Sequence, residues 1–310
     1  MKLKKYISII GVLLFVYILI KLKISAVFRE VVNVNLYYFI VGLIFAIFFI
    51  IFQTSKWLMI AYKQNIILPF FEAIKINLMT HFYGFITPGR VGVIMRANYL
   101  KKYTKTIGGG ICNFTLDKVL EISSVLFIAI ISSLIFQQKF NVIPLPVSLI
   151  LFFGMIILTI IFIDKNRSKF LLKFVYLKLI PEKIKDKAKL TFNSFYENMP
   201  KKRSFVLFFL LNLLTWMTIY TTAFFIGKSL GINLPFIYFL AILPLGTLVA
   251  FIPITLSGLG TRDLVLITLF GIFSIEATKV FSMSLLTLFL TGIIPALIGW
   301  LIIFKRNLSN

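Results

Sequence analysis

The chain has 310 residues, 60% of them hydrophobic and only 14% charged, with a mean hydropathy of +1.00. Apolar runs of spanning length recur from end to end, which excludes an ordinary soluble globule and points to an all-α, polytopic membrane protein. The formal charge of +23 sits in clusters between those runs, as the positive-inside rule expects, so no nucleic-acid partner is expected.

One cysteine, Cys112, excludes an intramolecular disulfide, and with His81 as the one histidine no His/Cys zinc site can form. Neither a metal nor another cofactor is expected. The chain opens MKLKKYISIIGVLLFVYILIKLK, and Lys21-Leu22-Lys23 stands where a signal peptide would carry small residues. The segment therefore reads as a retained first helix.

About eight transmembrane helices are expected, over Tyr6–Ile20, Leu36–Ala61, Ile111–Phe136, Leu145–Ile163, Phe205–Leu230, Pro235–Ile252, Leu264–Phe273 and Lys279–Phe304. Trp57, Tyr62, Trp216 and Trp300 suit either interfacial anchors or packing residues. Leu68–Thr87 is moderately apolar and reads as a re-entrant or interfacial segment, because a ninth span would break the charge topology. Lys2, Lys4 and Lys5, the basic loop over residues 164–204, and Lys305 with Arg306 are all expected on the cytoplasmic side. Both termini then face the cytoplasm of a cell-membrane protein. Residues 1–310 form a single transmembrane domain, with the basic loop between two four-helix halves. Within that loop Ile184, Ala188, Phe192 and Phe195 recur at helical spacing, the pattern of a helix on an anionic membrane surface.

Two stretches break the apolar pattern. Phe82 to Arg96 reads FYGFITPGRVGVIMR, and Ile252 to Asp263 reads IPITLSGLGTRD. Each joins a proline and closely spaced glycines to arginine. Such broken backbone survives at membrane depth only where protein covers it or a watery cavity lines it. Two of them suggest a two-half pseudo-repeat with a site between the halves.

Arginine grips phosphate in a bidentate fork, and amides freed near glycine add donors. Arg90, Arg96 and Arg262, with Gly89, Gly92, Ser257, Gly258 and Gly260, are therefore candidates for binding a lipid phosphate headgroup. The competing reading is that these arginines snorkel to the interface. Asp117 and Glu121 stand four apart on one helical face, beside Lys118. They fit counter-charges for the arginines, a protonatable couple, or acids of the headgroup layer. Asp263 directly follows Arg262, and successive helical residues do not face each other. It is expected to cap the next helix or to pair with an arginine of the other half. His81 suits a proton relay or a structural role. No P-loop, HExxH or GxSxG pattern occurs, so no catalytic residue is assigned and a transporter is favoured over an enzyme.

Pro88-Gly89-Arg90-Val91-Gly92-Val93-Ile94-Met95-Arg96, then Asp117-Lys118-Val119-Leu120-Glu121, then Pro253 through Asp263 resemble the transmembrane region of lysylphosphatidylglycerol synthases, a flippase-like family. The family pattern runs Pro-Gly-Arg-x-Gly-Glu-x-x-Arg, Glu-Arg-x-x-Asp and Pro-x-Ser-x-x-Gly-x-Gly-x-Arg-Glu. Val93 departs from it by replacing the glutamate. The resemblance implies broken helices and a role in moving lipids between leaflets. Some members fuse this region to an aminoacyl-transferase domain. None is seen up to Asn310, so synthesis of a lysyl-lipid is not expected of this chain. Other relatives are associated with polyprenyl-phosphate sugar metabolism. The partners expected are therefore anionic phospholipids or polyprenyl-phosphate-linked lipids, with a lipid-synthesising enzyme as a candidate protein partner. The alternatives are a glycosyl- or phospho-transferase acting on a polyprenyl-phosphate lipid, and a non-catalytic subunit of a lipid or glycan assembly system.

Overall fold

A computed structural model describes residues 13–104, 107–135, 164–170, 182–252, 255 and 257–308, with short pieces between 146 and 160. About half of the expected span over 145–163 and the first half of that over 6–20 lie outside these residues. All regular structure among the described residues is helical. In order the helices are α1 (Leu13–Leu22), α2 (Ile24–Val32), α3 (Leu36–Lys63), α4 (Phe70–Phe85), α5 (Arg96–Leu100), α6 (Ile107–Ile135), α7 (Glu182–Glu197), α8 (Ser204–Ser229), α9 (Phe236–Phe251), α10 (Thr261–Gly271), α11 (Ala277–Leu288) and α12 (Ile294–Leu308). A π-helical turn, Phe289–Ile293, joins the last two into one rod.

Among the described residues three helices are long and apolar enough to cross a bilayer: Leu36–Lys63, Ser204–Ser229 and the rod Ala277–Arg306. Two of the other expected spans fall partly outside the described residues. Helix α6 is 29 residues long but carries Asp117, Lys118 and Glu121. Helices α9 and α10 have 16 and 11 residues, short of the ~20 that a span needs. Helix α4 also has 16 residues and then breaks, which suits the re-entrant or interfacial reading of that stretch.

The core forms where α3 and α8 lie side by side. Helix α3 changes character along its length. Its first half exposes Leu36, Tyr37, Ile40, Ile44 and Ile47, while its second half buries Thr54, Lys56, Trp57 and Ile60. The first half is a lipid-facing surface and the second a protein interior. The largest apolar cluster gathers Trp216, Tyr220, Ile226, Phe239, Phe270 and Met283 from α8 to α11. Trp57 and Trp216 are thus packing residues, whereas Tyr62 and Trp300 stay exposed.

Helix α7 has the periodicity read from the sequence, and the last residue of its apolar face, Phe195, packs on the protein itself. Phe195 joins Cys112, Leu116 and Phe208, and Ser194 lies over Gly108, where an added Cβ would sit 2.6 Å away. Gly299 works in the same way between α12 and α4, since a Cβ there would lie 2.0 Å from the Leu78 carbonyl oxygen. Gly299→Ala should therefore push the two helices apart and destabilise the protein by about 1–3 kcal/mol, an overpacking cost. Thermal unfolding in detergent checks this; an unchanged midpoint would contradict the contact.

Candidate functional site

Both sequence breaks are built from left-handed backbone. Gly89 and Arg90 have φ of +61° and +56°, and Ser257, Gly258 and Gly260 have +50°, +80° and +81°. A non-glycine residue in this region costs about 1–2 kcal/mol, so Arg90 and Ser257 are held there by their surroundings. Thr87 fixes the first break. Its hydroxyl donates to the Tyr83 carbonyl at 2.8 Å and accepts the Gly92 amide at 2.7 Å. Gly92 has to be glycine, because a Cβ would meet the Tyr83 oxygen at 2.1 Å. A tight 3-10 turn, Val91–Met95, then delivers Arg96 to the start of α5.

The second break leads into α10. The Asp263 carboxylate accepts the Gly260 amide at 2.9 Å and so caps the helix, as expected. Its other oxygen takes Arg262 Nη2 at 3.0 Å and the Ser284 hydroxyl. Asp263 thus pairs with its own neighbour, and no arginine of the first half reaches it. The expectation of a cross-half pair is corrected by first-turn geometry. Asp263 curls back toward the N-cap, and the long Arg262 side chain follows it.

The two breaks meet. Ser257 Oγ donates to the Phe85 carbonyl at 3.4 Å, at the end of α4, and Lys118 Nζ of α6 stands 5.5 Å from the Phe251 ring centroid, at the end of α9. Beside the first break is a polar cavity enclosed by α3, α4 and α6. It is lined by Lys56, His81, Arg90, Arg96, Asp117, Lys118 and Glu121, with Gln53, Asn77 and Thr80 among the neutral groups.

Most of these charges are already satisfied. Asp117 is the hub: Arg96 Nη1 and Nη2 both donate to Oδ2 at 2.9 Å, and Lys56 Nζ approaches Oδ1 at 3.0 Å as an ion pair. Lys56 also donates to Asn212 Oδ1 of α8 at 2.9 Å. Arg96 further donates to Asn113 Oδ1 at 3.3 Å and lies over Trp57, 4.9 Å from its ring centroid. Asn113, Asp117 and Glu121 repeat every fourth residue, so one face of α6 presents all three. Asn113 Nδ2 donates to the Trp57 carbonyl at 3.0 Å and to Gln64 Oε1 at 3.1 Å, which locks α6 to α3. Glu121 accepts from Lys118 at 2.8 Å.

Arg90 differs. It lines the cavity, but its guanidinium has no hydrogen bond and no ion pair within 4 Å among the described residues, and feels the longer-range field of Glu121 and the repulsion of Arg262. Val93 lines the same wall, so that position brings no carboxylate to it. Four cations (Lys56, Arg90, Arg96, Lys118) face two carboxylates (Asp117, Glu121), an excess of two positive charges. A buried excess of this kind favours an anion. No group of three or more potential metal ligands occurs among the described residues.

Of the residues singled out in the sequence, Arg90, Arg96, Asp117 and Glu121 share this cavity. Ser257, Gly258, Gly260, Arg262 and Asp263 lie in the second break, which does not line the cavity and touches the end of α4 through Ser257, while Gly89 and Gly92 shape the turn that carries Arg90. Sequence reasoning missed Lys56, Asn113, Asn212 and Thr87. The available signal for Lys56 was a lysine inside an apolar 28-residue helix, two turns before its end.

Residues 7–299 match the family described as the lysylphosphatidylglycerol synthase TM region. A UPF0104 membrane protein of Pyrococcus horikoshii is 22% identical over 328 aligned positions, which cover 98% of each chain.

Proposed function

Because this chain belongs to the lysylphosphatidylglycerol synthase transmembrane-region family, we propose that it is a flippase-like lipid translocase or transporter that takes a phosphate-bearing headgroup into the cavity beside its first broken segment. The observation that carries this reading is Arg90, a guanidinium without a direct partner in a cavity with two surplus positive charges. Arg96 and Arg262 are committed to Asp117 and Asp263, so they shape the field around the ligand rather than act as free hands. A phosphate at Arg90 would satisfy its donors and neutralise the excess charge. Anionic phospholipids and polyprenyl-phosphate lipids both offer that group, and an enzyme producing either is the expected functional partner. By the lysine and arginine distribution the protein belongs in the cell membrane with both termini cytoplasmic.

Two discontinuous segments that touch beside one cavity suit alternating exposure, in which one half rocks against the other around a fixed headgroup. The test is leaflet exchange in liposomes holding purified protein, with fluorescent phosphatidylglycerol, a polyprenyl phosphate and diacylglycerol compared. Faster exchange of a phosphate-bearing probe, with diacylglycerol left at its protein-free rate, is the expected result. No acceleration of either phosphate lipid by folded protein would overturn the proposal.

A further inference from the structure

A second cavity lies farther along α6 and has no polar character. We infer that it holds the hydrocarbon tail of the lipid whose phosphate sits at Arg90. Phe127, Ile128 and Ile131 of α6, Leu213 and Met217 of α8, and Ile237 of α9 line the cavity. Ser132 is the one hydroxyl in the lining, and its single proton is shared between the Ile128 carbonyl at 2.8 Å and the Leu240 carbonyl at 2.7 Å. One hydroxyl oxygen gives water fewer than the two to four partners it needs, so the space suits hydrocarbon.

Its position names the occupant. Glu121 and the pocket share helix α6, and at 1.5 Å per residue Phe127 and Ile131 lie about 9 and 15 Å beyond Glu121. At 3.6 residues per turn, Ile128, Ile131 and Ser132 fall within roughly 60° of the direction Asp117 takes, on the face that carries the charged cavity. Helix α9 runs antiparallel beside α6 along the same path. Its end meets Lys118 through Phe251, and its beginning meets Ser132 through Leu240. The face of α6 thus passes from a cationic pocket to an apolar one, the polarity of a lipid laid headgroup first. Ile131 and Ile237 are 41% and 40% exposed, so the apolar end opens sideways. A tail can enter there from the bilayer.

This assignment rests on the headgroup reading, and its test separates the two. Phosphatidylglycerol with a diazirine in its acyl chain is photolysed in liposomes with the full protein, and the adducts are mapped by mass spectrometry. Diacylglycerol with the same tail is the control for annular lipid, and a diazirine-bearing polyprenyl phosphate distinguishes an isoprenoid tail from an acyl tail. The expected adducts fall on the stretches 127–132 and 213–217 for a phosphate-bearing probe and not for diacylglycerol. Met217→Trp and, at the more tolerant exposed rim, Ile131→Trp should each reduce those adducts. Excluding even two methylenes costs on the order of tenfold in occupancy.

Adducts elsewhere in the wild-type protein, or equal labelling by diacylglycerol, would overturn the tail site whether or not a variant folds. If leaflet exchange is phosphate-selective and sensitive to Arg90 while the pocket stays unlabelled, the tail site falls and the headgroup reading stands.

Discussion

Asp117→Asn is expected to be the most destabilising single substitution in the polar interior. Lys56 and Arg96 would be left facing a neutral amide, with both side chains 3% exposed. Removing one partner of a buried ion pair typically costs about 3–5 kcal/mol, because the charge left behind has lost its compensation. Against a total stability of about 5–15 kcal/mol, that is enough to threaten the fold. Glu121→Gln should cost less, since the Lys118–Glu121 pair reaches the cavity mouth and both side chains keep some exposure. The triple replacement Lys56→Met, Arg96→Met and Asp117→Leu removes the charges together, and buried ion clusters often tolerate such apolar substitution. It should regain much of the lost stability without regaining lipid selectivity. Thermal unfolding in detergent orders the variants. An Asp117→Asn protein as stable as wild type would show that the carboxylate is not the hub described.

The same residues show how far sequence carries. Pro88-Gly89 and Ser257 to Gly260 were legible as breaks because proline removes a donor and glycine tolerates positive φ, both local properties of the chain. Asn113, Asp117 and Glu121 could be placed on one face because helical spacing alone decides it. Which arginine meets which acid could not be read. Arg96 reaches Asp117 across 21 positions, and Arg262 turns to its own neighbour, choices set by how a 3-10 turn and a helix cap happen to orient long side chains. Lys56 was hidden for a different reason. In a run as apolar as α3 one lysine barely alters the hydropathy, and its partners Asp117 and Asn212 come from α6 and α8. Gly299 was equally silent, since only the approach of the Leu78 carbonyl gives its missing Cβ a meaning.

Arg90→Gln should have the largest functional effect. The side chain makes no hydrogen bond or ion pair that its loss would break, so the fold should be retained and the change should fall on the ligand. A hydrogen bond to a charged group contributes about 1.5–3 kcal/mol, so losing the guanidinium should slow headgroup-selective exchange by about 10- to 100-fold. Arg262→Gln makes an instructive contrast. It removes one of the groups that hold Asp263, so it should lower thermal stability as well as activity.

The most direct measurement is leaflet exchange of phosphatidylglycerol and of a polyprenyl phosphate in liposomes carrying equal amounts of folded wild-type or Arg90→Gln protein. The account predicts acceleration of at least one of them by wild type, and its loss in the variant at unchanged thermal stability. Equal exchange by both proteins would contradict the placement of the phosphate at Arg90.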